Sequence, residues 1–161
     1  MAVATAPAYC SCVWYIFFQP VLALCGLYEY NISMDIQRTI PIILDENELV
    51  RNTVMAFTRY QQDISTVCFN SGEPLRAVDL HKAVYRAVPT HLRSQMKCSA
   101  IRGTAAAYAA LKARGKPISR PVQFRKPSAL FLAGKDFTFK SDGTLSIGTA
   151  QGRQRIGWRI P

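Results

Sequence analysis

The sequence predicts an α+β domain, and three observations carry that prediction. Between residues 45 and 115 apolar side chains recur at helical spacing over two long stretches. One β-branched stretch precedes them, and four short apolar runs follow, two of them joined by an Asp-Gly turn. The chain has 161 residues, 49% hydrophobic and 11% aromatic, enough to bury a core rather than stay disordered.

The elements follow in order. Residues 35–44 read as a strand, with Pro41 at an edge or strand end because it cannot donate to a ladder. Asp45 and Glu48 have the spacing of a capping box, with Asp45 as N-cap. The helix they open carries Val50, Val54, Phe57, Ile64 and Val67 on one stripe, with Tyr60 beside it, and stops at Asn70-Ser71-Gly72. A short helix is expected over Val78 to Val88, with Leu80, Val84 and Tyr85 on one side. Pro89-Thr90 breaks the chain, and a second long helix runs from about His91 to Arg114. Its stripe is Leu92, Met96, Ala100, Gly103/Thr104, Ala107/Tyr108 and Leu111, and Gly115 and Pro117 stop it. Strands are expected at Leu130 to Leu132, Phe137 to Phe139, Thr144 to Ile147 and Gln154 to Trp158. Ser141-Asp142-Gly143 forms the hairpin turn.

Charge is distributed unevenly. Residues 1–33 carry one charged side chain, Glu29. Residues 34–75 have a net charge of −3, whereas residues 76–161 have +14. The whole basic excess therefore lies in the C-terminal half, which points to an anionic partner, most often nucleic acid. The uncharged start is read as an N-terminal extension, produced by a start assigned too far upstream of Met34. A membrane or export segment is the alternative. No positive region precedes the apolar run Val13 to Phe18, Gln19-Pro20 interrupts it, and no Lys or Arg flanks it, which argues against a signal peptide and a membrane span. The chain is accordingly read as cytoplasmic.

Few residues suggest chemistry. The five cysteines lack metal or disulfide spacing, and no phosphate loop or zinc motif occurs. His81 and His91 read as ordinary surface or interface residues, and Cys68 and Cys98 as buried small hydrophobes. Asp136 is assigned to a strand end and Asp142 to the turn, leaving no carboxylate cluster in the basic half. No cofactor is expected. Phe124 and Trp158 read as core aromatics, with base stacking the alternative.

The order of these pieces resembles the N-terminal part of the TnpB/OrfB transposon-associated RNA-guided DNA endonucleases, relatives of type V CRISPR effectors. The resemblance rests on the strand from Gln37 to Leu44, the helix from Asp45 to Asn70, and Leu92-Arg93-Ser94-Gln95-Met96 opening the helix that holds Ala100-Ile101-Arg102. Pro121-Val122-Gln123-Phe124-Arg125-Lys126, Asp142-Gly143-Thr144 and Gly152-Arg153-Gln154-Arg155-Ile156 complete it. It spans residues 34–158. It implies a β-barrel-like wedge domain interrupted by a helical recognition insert: a first barrel strand at 34–44, the insert at 45–118 and returning strands at 119–161. It further implies binding of guide RNA and DNA, with cleavage by a RuvC-like domain that this sequence, ending at Pro161, does not reach. The chain is thus expected to bind and not to cut. The expected nucleic-acid-binding residues are Arg93, Lys97, Arg102, Lys112, Arg114, Lys116, Arg120, Arg125, Lys126, Lys135, Lys140, Arg153 and Arg155. Arg51 and Arg59 are expected to pair with neighbouring acids instead. The competing functions are a guide-independent DNA-binding domain, a membrane-attached interaction protein and a remnant of a decayed element.

Overall fold

The structure is a computed structural model that describes residues 41–72, 76–115 and 117–161. The uncharged extension, most of the first expected strand and Lys116 lie outside the described residues. Three helices, α1 (Glu48–Asn70), α2 (Ala77–Val84) and α3 (Ser94–Ala113), follow strand β1 (Ile43–Leu44). Strands β2 (Phe137–Phe139), β3 (Leu145–Thr149), β4 (Gly152–Ile156) and β5 (Trp158–Arg159) complete the chain. The α+β class is as the sequence predicts. The described strands form two antiparallel sheets, one of β2-β3-β4 and one of β1-β5.

One apolar cluster joins helices and sheet. Val54, Phe57, Ile64 and Cys68 of α1 pack with Leu80 and Val84 of α2, Met96, Ala100 and Tyr108 of α3, and Phe137, Leu145 and Ile147 of the three-stranded sheet. The eight-residue α2 is too short to be stable alone. Leu80 and Val84 are fully buried, and each such side chain contributes roughly 1.5–3 kcal/mol. The predicted α3 stripe is the one that is buried. On α1, Cys68 replaces Val67, which is 37% exposed.

Several boundaries differ from expectation for identifiable reasons. Asp45 does not cap α1, because its N–H donates to Gly157 O at 3.0 Å and so prolongs the β1–β5 pairing. Asn47 caps instead, its Oδ1 accepting from Val50 N at 3.1 Å. Helix α2 ends four residues early, at Val84, before a further turn closed by Val88 N on Val84 O. Helix α3 starts at Ser94, since Arg93 is extended (φ −65°, ψ 151°). Leu130 to Leu132 is no strand. There the Leu132 N–H donates to the Asp136 carboxylate at 2.9 Å and the Leu132 carbonyl accepts from Asp136 N at 2.7 Å, closing a tight turn. The last expected strand is divided at Gly157 between the two sheets. A Cβ at Gly157 would collide with the Asp45 carboxylate, so this crossing is built for glycine. The Asp-Gly turn forms as predicted: Gly143 has φ 76°, and Asp142 Oδ1 accepts from Thr144 N and Oγ1.

Candidate nucleic-acid interface

Helix α1 presents a second face besides its core stripe. Asn52, Met55, Ala56, Arg59, Tyr60 and Asp63 follow one another at helical spacing and floor a groove of about 1210 Å³. The chain between α2 and α3 forms one wall, contributing Tyr85, Arg86 and His91, with Lys97 from α3 above. The opposite wall is the extended segment that holds Phe124, Arg125 and Pro127.

That second wall is held by side chains, not by a sheet. Gln62 donates through Nε2 to Val122 O at 3.3 Å and accepts from Phe124 N through Oε1 at 3.1 Å. Ser65 Oγ donates to Val122 O at 2.8 Å. Tyr108 Oη accepts from Val122 N at 3.2 Å and donates to Ser65 O at 2.8 Å. Further along, Thr58 Oγ1 accepts from Ser128 N at 3.0 Å. Prolines at 121 and 127 deny the segment a regular ladder. The backbone groups of half-buried Val122 and Phe124 therefore find partners on α1 and α3, as polar groups withdrawn from water must. The side chains of Gln123, Arg125 and Lys126 remain exposed.

Among the described residues the ion pairs are Arg51–Glu46, Arg76–Asp79 and Arg155–Asp142. The groove cations Arg59, Arg86, Lys97 and Arg125 take part in none of them. Arg51 pairs as predicted, and Arg59 does not. Lys97 Nζ lies 5.5 Å from the centroid of the Tyr85 ring, which also stacks on His81 at 4.6 Å. Tyr60 is 1% exposed, and its hydroxyl has no hydrogen-bond partner. Burial, then the nearby Cys98 and Tyr85, push its phenol above the ordinary value, so it stays protonated.

The predicted binding residues that the structure describes thus fall into four sets. Lys97 and Arg125 share the groove. Arg93, Lys135 and Arg153 surround Asp136 at the sheet: Arg153 Nη2 donates to Lys135 O at 2.7 Å, and the Arg93 guanidinium lies against Gly148. Asp136 is 3% exposed, and burial raises its carboxyl above the ordinary value against the pull of these three cations. Arg155 is engaged by Asp142 at 3.5 Å. Arg102, Lys112, Arg114, Arg120, Lys126 and Lys140 are exposed and in no ion pair among the described residues, spread over the middle and end of α3, the connection that follows it and the hairpin turn. Sequence reasoning missed Arg59 and Arg86. Phe124 lines the groove instead of joining the core cluster, whereas Trp158 packs against that cluster.

One polar contact was also unforeseen: Cys98 Sγ lies 3.7 Å from His81 Nε2, so His81 has a sulfur partner and Cys98 is half-buried. Neither residue lines the groove, and the pair packs α2 on α3. Among the described residues no three His, Cys, Asp or Glu gather where they would hold a metal ion, and no helix is long and apolar enough to cross a membrane. No family model, curated protein or solved structure matches the chain.

Proposed function

We propose that this chain binds nucleic acid, with structured RNA as the first partner and DNA as the second, and that it acts by binding rather than by cutting. The observation that carries the proposal is the groove. Four cations, Arg59, Arg86, Lys97 and Arg125, none in an ion pair among the described residues, surround a concavity with Phe124 on its wall. Cations left unneutralised beside aromatic surface suit a phosphate backbone whose bases can stack. A solvated surface has no need to collect them around one cleft. The described carboxylates are dispersed, with Asp45, Glu46 and Glu48 before or at the start of α1, Asp63 in the groove, Asp79 on α2, and Asp136 and Asp142 at the sheet.

The TnpB/OrfB reading is part of the same proposal and rests on the order of the sequence segments. In it the RNA is a guide scaffold, the location is cytoplasmic, and the two small sheets are arcs of a barrel-like wedge. The pairing of β1, before the helices, with β5, after them, suits a helical insert.

The test is binding of a labelled RNA hairpin to the full chain across a salt series. With four groove contacts, log Kd against log salt should have a slope of magnitude roughly 3. Replacing Arg59 and Arg125 together by Ala should lower that slope by about 1.5. Replacing Arg51, spent on Glu46, should leave it unchanged. A flat salt dependence, or equal losses from Arg51 and Arg59, would refute the proposal.

A further inference from the structure

The groove contains more than phosphate-binding charge. Tyr60 is among the residues that line the groove, yet it is 1% exposed, and its hydroxyl is buried with no hydrogen-bond partner among the described residues. A buried unpaired hydroxyl costs stability unless something completes it. Asp63, one turn further along α1, lines the same groove and is in no ion pair among the described residues, although Arg59 precedes it by one turn. A carboxylate here opposes an acidic peptide. It suits a ligand that is anionic at one end and donates hydrogen bonds at the other.

Nucleobases with an exocyclic amine have that character, since Asp accepts from cytosine N4 and adenine offers N6 in the same way. The stacking surface is also defined. Tyr85 is engaged by His81 and Lys97, and the Tyr60 ring is in the core, which leaves Phe124. It is half-buried, outside the core cluster, and adjacent to Arg125. The volume of about 1210 Å³ exceeds the roughly 300–1,000 Å³ of common small-molecule sites, so it accommodates more than one nucleotide. A paired base hides its Watson–Crick edge and both faces, and only an unpaired one offers them to a protein.

We propose that the groove seats an unpaired stretch of nucleic acid: Phe124 stacks a base, Asp63 reads its amine-bearing edge, and Arg59, Arg86 and Arg125 hold the flanking phosphates. This inference rests on the nucleic-acid reading and narrows it to single strands with amine-bearing bases.

The experiment measures binding of the full chain to labelled single-stranded oligocytidine, oligoadenosine and oligouridine, and to a blunt RNA duplex, at one salt concentration. Oligocytidine or oligoadenosine should bind several-fold more tightly than oligouridine. Phe124→Ala should weaken single-strand binding about tenfold and Phe124→Tyr should restore it, because stacking needs a ring. Neither should shift the melting temperature appreciably, as Phe124 lies outside the core. Asp63→Asn should abolish the preference over uridine. Duplex binding with no response to Phe124→Ala would overturn this inference and leave the proposed function standing. Failure to bind any of the four would overturn both. Displacement of oligocytidine by polyglutamate at equal charge concentration would show a site for acidic protein and overturn the inference.

Discussion

Replacing Tyr108 with Phe removes one oxygen from the junction that fixes the groove wall. That oxygen accepts from Val122 N at 3.2 Å, donates to Ser65 O at 2.8 Å and lies 3.0 Å from Ser65 Oγ. The Phe ring fills the same space, so packing is retained and the cost is polar. A buried donor left unpaired costs about 1–3 kcal/mol. Val122 is half-buried, which places its N–H in the lower part of that range. Loss of the donation to Ser65 O adds about 0.5–1 kcal/mol. Tyr108→Phe should therefore destabilise the chain by about 2 kcal/mol, or about 8 °C at roughly 4 °C per kcal/mol. Ser65→Ala should cost about 1 kcal/mol, for the bond to Val122 O. Since both residues fix Val122, the double variant should deviate from additivity by at least about 0.5 kcal/mol. Urea unfolding of the four proteins, with the m-value unchanged, provides the numbers, and hydrogen exchange at Val122 provides the local readout. A Tyr108→Phe variant within about 0.5 kcal/mol of the parent, or strict additivity, would show that Val122 is satisfied by water and that the wall is not held there.

Asp136 should make stability fall as pH rises. Its folded carboxyl is raised above the ordinary aspartate value of 3.8, chiefly by burial. The contribution is therefore fully present below pH 3.8 and is lost as pH climbs through the folded value. Asp136→Asn, whose side-chain oxygen still accepts from Leu132 N, should gain on the parent as pH rises from acid to neutral. A variant that loses ground with rising pH would show that Arg93, Lys135 and Arg153 outweigh burial. Gly143→Ala should cost about 1 kcal/mol, because φ 76° is strained for a Cβ-bearing residue, and Gly143→Asn about half of that; a thermal melt unchanged by Ala would refute the turn assignment.

The helices were legible because their burial is one-sided. Leu92, Met96, Ala100, Thr104 and Tyr108 recur every four residues, and all are buried. Strand identity was less legible, since pairing is non-local. Nothing in Leu130 to Leu132 announces that the Asp136 carboxylate will capture the Leu132 N–H, and nothing near Trp158 announces β1 as its partner. The groove was hidden for a related reason. Arg59 has Asp63 four residues on, which in a lone helix reads as a solvated pair. The usable signal was the polar set Thr58, Gln62 and Ser65 flanking the α1 core stripe, together with a Pro-bounded segment that has no strand partner. Hydroxyls and amides on a helix beside its core face imply backbone to be satisfied there.

That compensation links fold to site. An extended segment within a sheet has its spacing set by the neighbouring strand, and alternate side chains are committed to the two faces. Residues 122–128 take their hydrogen bonds from Gln62, Ser65, Thr58 and Tyr108 instead. The contacts fall on Val122, Phe124 and Ser128, and between them Arg125, Lys126 and Pro127 are free of backbone pairing. The chain is thus held at two points and carries its cations on the span between. On the facing wall Arg86 follows Tyr85, whose ring is engaged by Lys97 and His81. Four like charges around one cleft repel one another, most strongly at low ionic strength. The core beneath them is apolar and offers no counter-charge. Among the described residues the fold keeps Asp136 and Asp142 at the sheet and Asp63 in the groove, so the nucleic acid of the proposed function would relieve that repulsion from outside.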